Sequence, residues 1–136
     1  MSLSLWIERK SYEIGSVSFL KSFFSTIFVR LENNEWGKLF PVIMNEFYMG
    51  ELNYQKCNKA VEEIMKIREM LKNFSPDQVV WDFEDLEAKP PWGDEISKSI
   101  TSLSNYFWTS DGKDLFDVLL SAFKEAKSKK RKVIIQ

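Results

Sequence analysis

Leu3, Leu5 and Ile7 alternate with Ser4, Trp6 and Glu8, a period of two that predicts a strand with one face more deeply buried than the other. Residues 12–17 are placed to return as its hairpin partner. After Ser18, a candidate N-cap, Leu20, Phe23, Phe24, Ile27, Phe28 and Leu31 recur at three- and four-residue spacing, the stripe of a buried helix. Asn33, Asn34 and Gly37 end it. Pro41 suits the first turn of a shorter helix running towards Tyr48, which Gly50 stops.

The clearest helix spans residues 54–74 with Asn53 as cap, because Ala60, Ile64, Ile67, Leu71 and Phe74 share a stripe from which Glu62, Glu63, Lys66, Glu69 and Lys72 largely depart. Cys57 falls on its inner side and reads as a small hydrophobe. Pro76 breaks the helix, and residues 79–83 predict a short buried strand flanked by acids. A long loop follows through Pro90 and Pro91 to about Thr101. Tyr106, Phe107 and Trp108 suggest another strand, Ser110 or Asp111 a cap, and Leu115, Val118, Leu119, Ala122 and Ala126 the inner face of a last helix. Val133, Ile134 and Ile135 give a final strand. Strand, helix and strand in that order suit a right-handed crossover that would pair residues 133–135 parallel to 106–108. The predicted class is α+β, a small mixed sheet of about four to five strands packed with about four helices.

A chain of 136 residues, 44% of them hydrophobic and 15% aromatic, can bury a sizeable core and predicts a single globular domain over residues 1–136. Its 19 basic and 20 acidic residues leave a net charge of -1, so no global field draws it to nucleic acid or membrane. There is no histidine, which removes Ser/His/Asp and Cys/His catalysis and histidine metal ligands. With Cys57 the one cysteine, neither an internal disulfide nor a cysteine-rich zinc site is open to the chain. The apolar stretch before Glu8 is too short for a signal peptide, and Lys21 and Arg30 interrupt residues 17–31 as a spanning segment. The expectation is a cytoplasmic protein without enzymatic activity, cofactor or metal.

Charge is nonetheless concentrated. Residues 77–95 hold Asp77, Asp82, Glu84, Asp85, Glu87, Asp94 and Glu95 against Lys89 alone. Such a patch attracts a cationic partner, and Trp81, Trp92 and the Pro90-Pro91 pair add the rigid apolar material of an interface anchor. Asp82, Glu84, Asp85, Trp92, Asp94 and Glu95 are the candidate partner-binding residues. The competing reading is a solvated loop whose tryptophans turn into the core. A chemical reading also exists, because Asp77, Glu87 and Lys89 match the Asp…Glu-x-Lys spacing of divalent-metal nucleases. The prolines after Lys89 suit that poorly, since such residues normally project from paired strands. Lys124, Lys127, Lys129, Lys130, Arg131 and Lys132 form a basic run that reads as a helix C-terminus with favourable dipole contacts, lacking interleaved aromatics to stack bases.

Taken together, Glu35-Trp36-Gly37, Phe40-Pro41, Val80-Trp81-Asp82, Pro90-Pro91-Trp92-Gly93-Asp94, Ser104-Asn105-Tyr106-Phe107 and Thr109-Ser110-Asp111-Gly112 ahead of Asp114-Leu115-Phe116 resemble the immunity protein 70 family of bacterial polymorphic toxin systems. The likeness runs from about Leu3 to Ala126, leaving the basic tail unmatched. It implies a cytoplasmic protein that binds and neutralises the toxin domain encoded beside it, possessing no catalytic residues. If that toxin is a nuclease, an acidic surface would compete for its phosphate-binding groove. A scaffold or regulator of some non-toxin partner stands as the alternative, because composition does not identify a partner.

Overall fold

The computed structural model describes residues 2–136. β1 (Ser2–Ile7) and β2 (Lys10–Ser16) form the anticipated hairpin, with Leu5 opposite Tyr12 and Trp6 opposite Ser11. Alternation directs Leu5 and Ile7 into the core, while Trp6 stands on the outer face, 36% exposed. β3 (Glu51–Leu52) and β4 (Val133–Ile135) complete a sheet ordered β2-β1-β4-β3. Gly50, at φ 102°, supplies the left-handed turn that ends the preceding helical segment and starts β3.

The class is α+β, as the periodicity predicts, but the sheet is antiparallel throughout rather than mixed. β4 inserts between β1 and β3, with Trp6 opposite Ile134 and Leu52 opposite Val133, and the parallel crossover does not form. Its intended partner is not a strand. Trp108 makes an isolated bridge to Asp114, and Thr109 N–H donates to the Lys113 carbonyl at 2.7 Å, so residues 106–108 are the lead-in to a tight turn. The strand expected at residues 79–83 is absent as well. Thr26 Oγ1 donates to the Val80 carbonyl at 3.2 Å and accepts from Val80 N–H at 3.1 Å, while Ser25 Oγ accepts from Phe83 N–H at 3.0 Å. Helix hydroxyls thereby satisfy main-chain groups that would otherwise need a neighbouring strand.

α1 (Val17–Thr26) widens into a π-helical turn, Ile27–Leu31, and its cap is Ser16 rather than Ser18, the hydroxyl accepting from Phe19 N–H at 3.1 Å. The shorter helix after Pro41 is another π-helical turn, Val42–Glu46, followed by a 3-10 turn, Phe47–Met49. Asn53 caps a 3-10 turn, Tyr54–Lys56, that leads into α2 (Cys57–Leu71). α3 (Leu115–Lys129) is capped by Asp114 instead of Ser110 or Asp111, which belong to the preceding turn. One cluster joins the apolar faces of the sheet, the three helices and the two π-helical turns. At its centre Phe23 meets Phe107 and Phe116 edge-on, with centroids 5.4 and 5.5 Å apart.

Two buried carboxylates organise the chain between α1 and β3. Glu32 accepts backbone N–H groups from Gly37, Leu39 and Phe40, and Glu63 accepts those of Val42 and Ile43. Glu63, which the helical pattern puts largely off the apolar stripe, is only 4% exposed, because its helical neighbours Ala60 and Ile64 carry it beneath the segment after Pro41. Burial pushes its carboxyl above the usual range, opposed by those N–H groups. Gly37 permits the loop by its φ of 76°.

Candidate partner-binding surface

The acidic segment is a succession of tight turns laid against α1. Asp85 N–H donates to the Asp82 carbonyl, Ala88 N–H to that of Asp85, Gly93 N–H to that of Pro90 and Glu95 N–H to that of Trp92. These turns leave Glu84, Asp85, Glu87, Asp94 and Glu95 exposed, and Asp82 half-buried. Arg30 Nε secures the start of the segment on the Gln78 carbonyl at 2.8 Å.

Lys21 divides the candidate carboxylates into two groups. Its ammonium lies 2.8 Å from Glu84 and 3.3 Å from Asp82, and sits over the Phe83 ring at 5.3 Å. The N–H of Glu84 and then Lys21 hold the Asp82 carboxyl below its usual range, against its partial burial. Asp85, Glu87, Asp94 and Glu95 take part in none of the ion pairs among the described residues. Their charge therefore projects into solvent.

Trp81 and Trp92 meet edge-to-face with centroids 5.4 Å apart, tying the two ends of the acidic loop together. Trp92 Nε1 donates to the Tyr106 hydroxyl at 3.0 Å, and Tyr106, whose phenol burial pushes up, packs edge-on against Phe107. Neither expectation for the tryptophans is met in full: Trp81 is half-buried, whereas Trp92 remains 41% exposed. Trp92 is thus anchored through Nε1 while part of its ring stays exposed.

Asp77 lies on the 3-10 turn Pro76–Gln78, and neither Glu87 nor Lys89 belongs to a strand, so the nuclease-like spacing is not mounted on a sheet. Among the described residues no group of three or more acidic or cysteine side chains is arranged to hold a metal. No helix among them is long and apolar enough to cross a membrane. The basic run ends α3, with Lys130 as a left-handed C-cap; Arg131 pairs with Glu8 and Lys132 with Glu51. The run lacks aromatics in sequence, yet the fold sets Trp6 and Tyr54 beside Lys130, Arg131 and Lys132 in one open cleft. Cys57 is fully buried, its thiol pushed up to about 11 by desolvation.

Lys21 and Trp108 were missed as parts of this surface. Lys21 was legible as the lone cation inside the apolar run of α1, but its partners lie some sixty positions away in the chain. Trp108, which its aromatic neighbours suggest as part of a strand, makes only an isolated bridge and is 46% exposed.

The fold defines a small α+β protein that presents, among its described residues, an exposed surface of carboxylates and tryptophan and a separate exposed basic run at the end of α3. The chain belongs to the immunity protein 70 family, whose family model matches residues 5–135 of the 136 and so extends through the basic run that the resemblance in sequence left out. No curated protein and no solved structure matches the chain significantly.

Proposed function

We propose that this protein is a single immunity domain, residues 1–136, that binds and neutralises a polymorphic toxin domain in the cytoplasm of the bacterium producing it. Inhibition is by occupation of toxin surface, not by chemistry on the toxin. Family membership supports the class, and the observation that carries the binding face is the set Asp85, Asp94 and Glu95, exposed and in none of the ion pairs among the described residues, with Glu95 beside the partly exposed Trp92. Asp82 and Glu84 add charge but are already engaged by Lys21, so they shape the surface more than they supply attraction. A basic toxin groove, as in a nuclease, is the complementary partner.

Co-expression with the toxin domain encoded beside it tests this reading. The parent protein restores growth, Trp92→Ala and Asp94→Asn weaken protection, and Lys130→Ala protects like the parent. Absence of protection by the folded parent overturns the immunity role; loss confined to Lys130→Ala moves the face to the basic cleft.

A further inference from the structure

We infer that the groove between Trp92 and Trp108 receives an arginine side chain of the partner protein. The inference rests on the reading that this surface meets a toxin and specifies what the toxin must present. The groove has a volume of about 220 Å³ and is walled by Phe19, Trp92, Glu95, Ile96, Tyr106 and Trp108. Its walls are pre-arranged: Trp92 Nε1 is bound to Tyr106, and Trp108 Nε1 donates to the Asn105 carbonyl at 2.9 Å. With both indole N–H groups already satisfied, the tryptophans offer an incoming group only their π faces and apolar edges. A neutral polar side chain finds there only Ser97, the Tyr106 hydroxyl and Glu95, and it brings no charge to answer that carboxylate.

Charge then selects among the groups that remain. Glu95 stands in the wall itself, next to Asp94, and neither carboxylate takes part in an ion pair among the described residues. An anion is repelled, and an aliphatic side chain leaves Glu95 partly desolvated without compensation. A guanidinium is planar and weakly hydrated, stacks on indole and donates in parallel to a carboxylate, matching both features of the groove. Its aliphatic stem covers Ile96 and Phe19.

Capped Gly-Arg-Gly and Gly-Gln-Gly peptides, titrated in millimolar excess against the isotope-labelled protein, test this directly through the assigned indole N–H resonances. The arginine peptide shifts Trp92 and Trp108 with an apparent affinity about five- to tenfold above the glutamine peptide. Glu95→Gln reduces that affinity about threefold, the scale of one exposed ion pair, without altering the fold. Trp108→Ala abolishes the selectivity for arginine, and Trp108→Phe restores part of it. Equal response to the two peptides, or selectivity that survives both Glu95→Gln and Trp108→Ala, overturns the inference. The titration needs no toxin, so failure of toxin binding leaves it standing. A toxin that binds the parent and the folded Trp108→Phe and Trp108→Ala variants equally removes the arginine site while preserving the immunity role.

Discussion

Glu63 on α2 accepts the backbone N–H of Ile43 at 2.8 Å, and with that of Val42 at 3.2 Å its carboxylate caps the helical segment after Pro41. Removing the carboxylate by Glu63→Ala leaves two buried donors unpaired beside a cavity, at a cost of about 2–4 kcal/mol in urea denaturation. Burial holds the Glu63 carboxyl above its ordinary 4.5, with Glu32 adding to the rise and Lys59 opposing it. The folded chain therefore takes up this proton at higher pH than the unfolded chain. Stability relative to Glu63→Gln accordingly increases as pH falls through the window above 4.5 and levels off below it. A pH-independent difference between the two proteins contradicts this assignment.

Thr26 holds both main-chain groups of Val80 with one hydroxyl. Thr26→Val preserves shape and removes the bonds, so it destabilises by about 1–3 kcal/mol and accelerates exchange of the Val80 amide. Val80 exchange unchanged from the parent would mean that the segment is held by something other than α1.

Lys21→Met deletes the cation shared by Asp82 and Glu84. Asp82 then titrates higher, though still below the ordinary 3.8, because the Glu84 N–H that contributes most to its depression remains. A depressed carboxyl contributes stability that is present above its unfolded pKa and lost as pH falls through the folded one, so the variant's loss of stability is fully present above 3.8 and disappears as pH falls below the folded value. Carbon-detected titration of Asp82 checks the direction; no movement would show that the ion pair does not persist in solution.

Cys57 is fully buried with its thiol pushed up to about 11. Thiol reagents at pH 8 therefore modify the protein only through its opened forms, at roughly the opened fraction times the free-cysteine rate. Rapid labelling of the native state would place the α2 inner face in solvent.

Periodicity recovered the hairpin of β1 and β2, the three long helices and the terminal strand, because in each a local pattern coincides with the face that becomes buried. Where the outcome depended on distant partners it failed. Residues 79–83 are apolar and β-prone, but their hydrogen bonds go to Ser25 and Thr26, hydroxyls more than fifty positions earlier that a scan for strand partners does not see. The chain pairs β4 with β1 and β3 because both present open edges, which no local pattern records. At the candidate surface, the carboxylates and Trp92 were legible as a cluster of charge beside an aromatic. That Lys21 engages only Asp82 and Glu84, and that Trp108 faces Trp92 across a groove, depends on the tertiary fold.

Association kinetics with the toxin domain test the central claim most directly. We expect the parent to bind fast at low ionic strength, with a rate that falls steeply as salt is added. The variant combining Asp85→Asn, Asp94→Asn and Glu95→Gln should associate about tenfold more slowly at low salt and show a flatter dependence, while Lys130→Ala follows the parent. Equal rates and equal salt dependence for the parent and the triple variant, both folded, would contradict an acidic toxin-binding face.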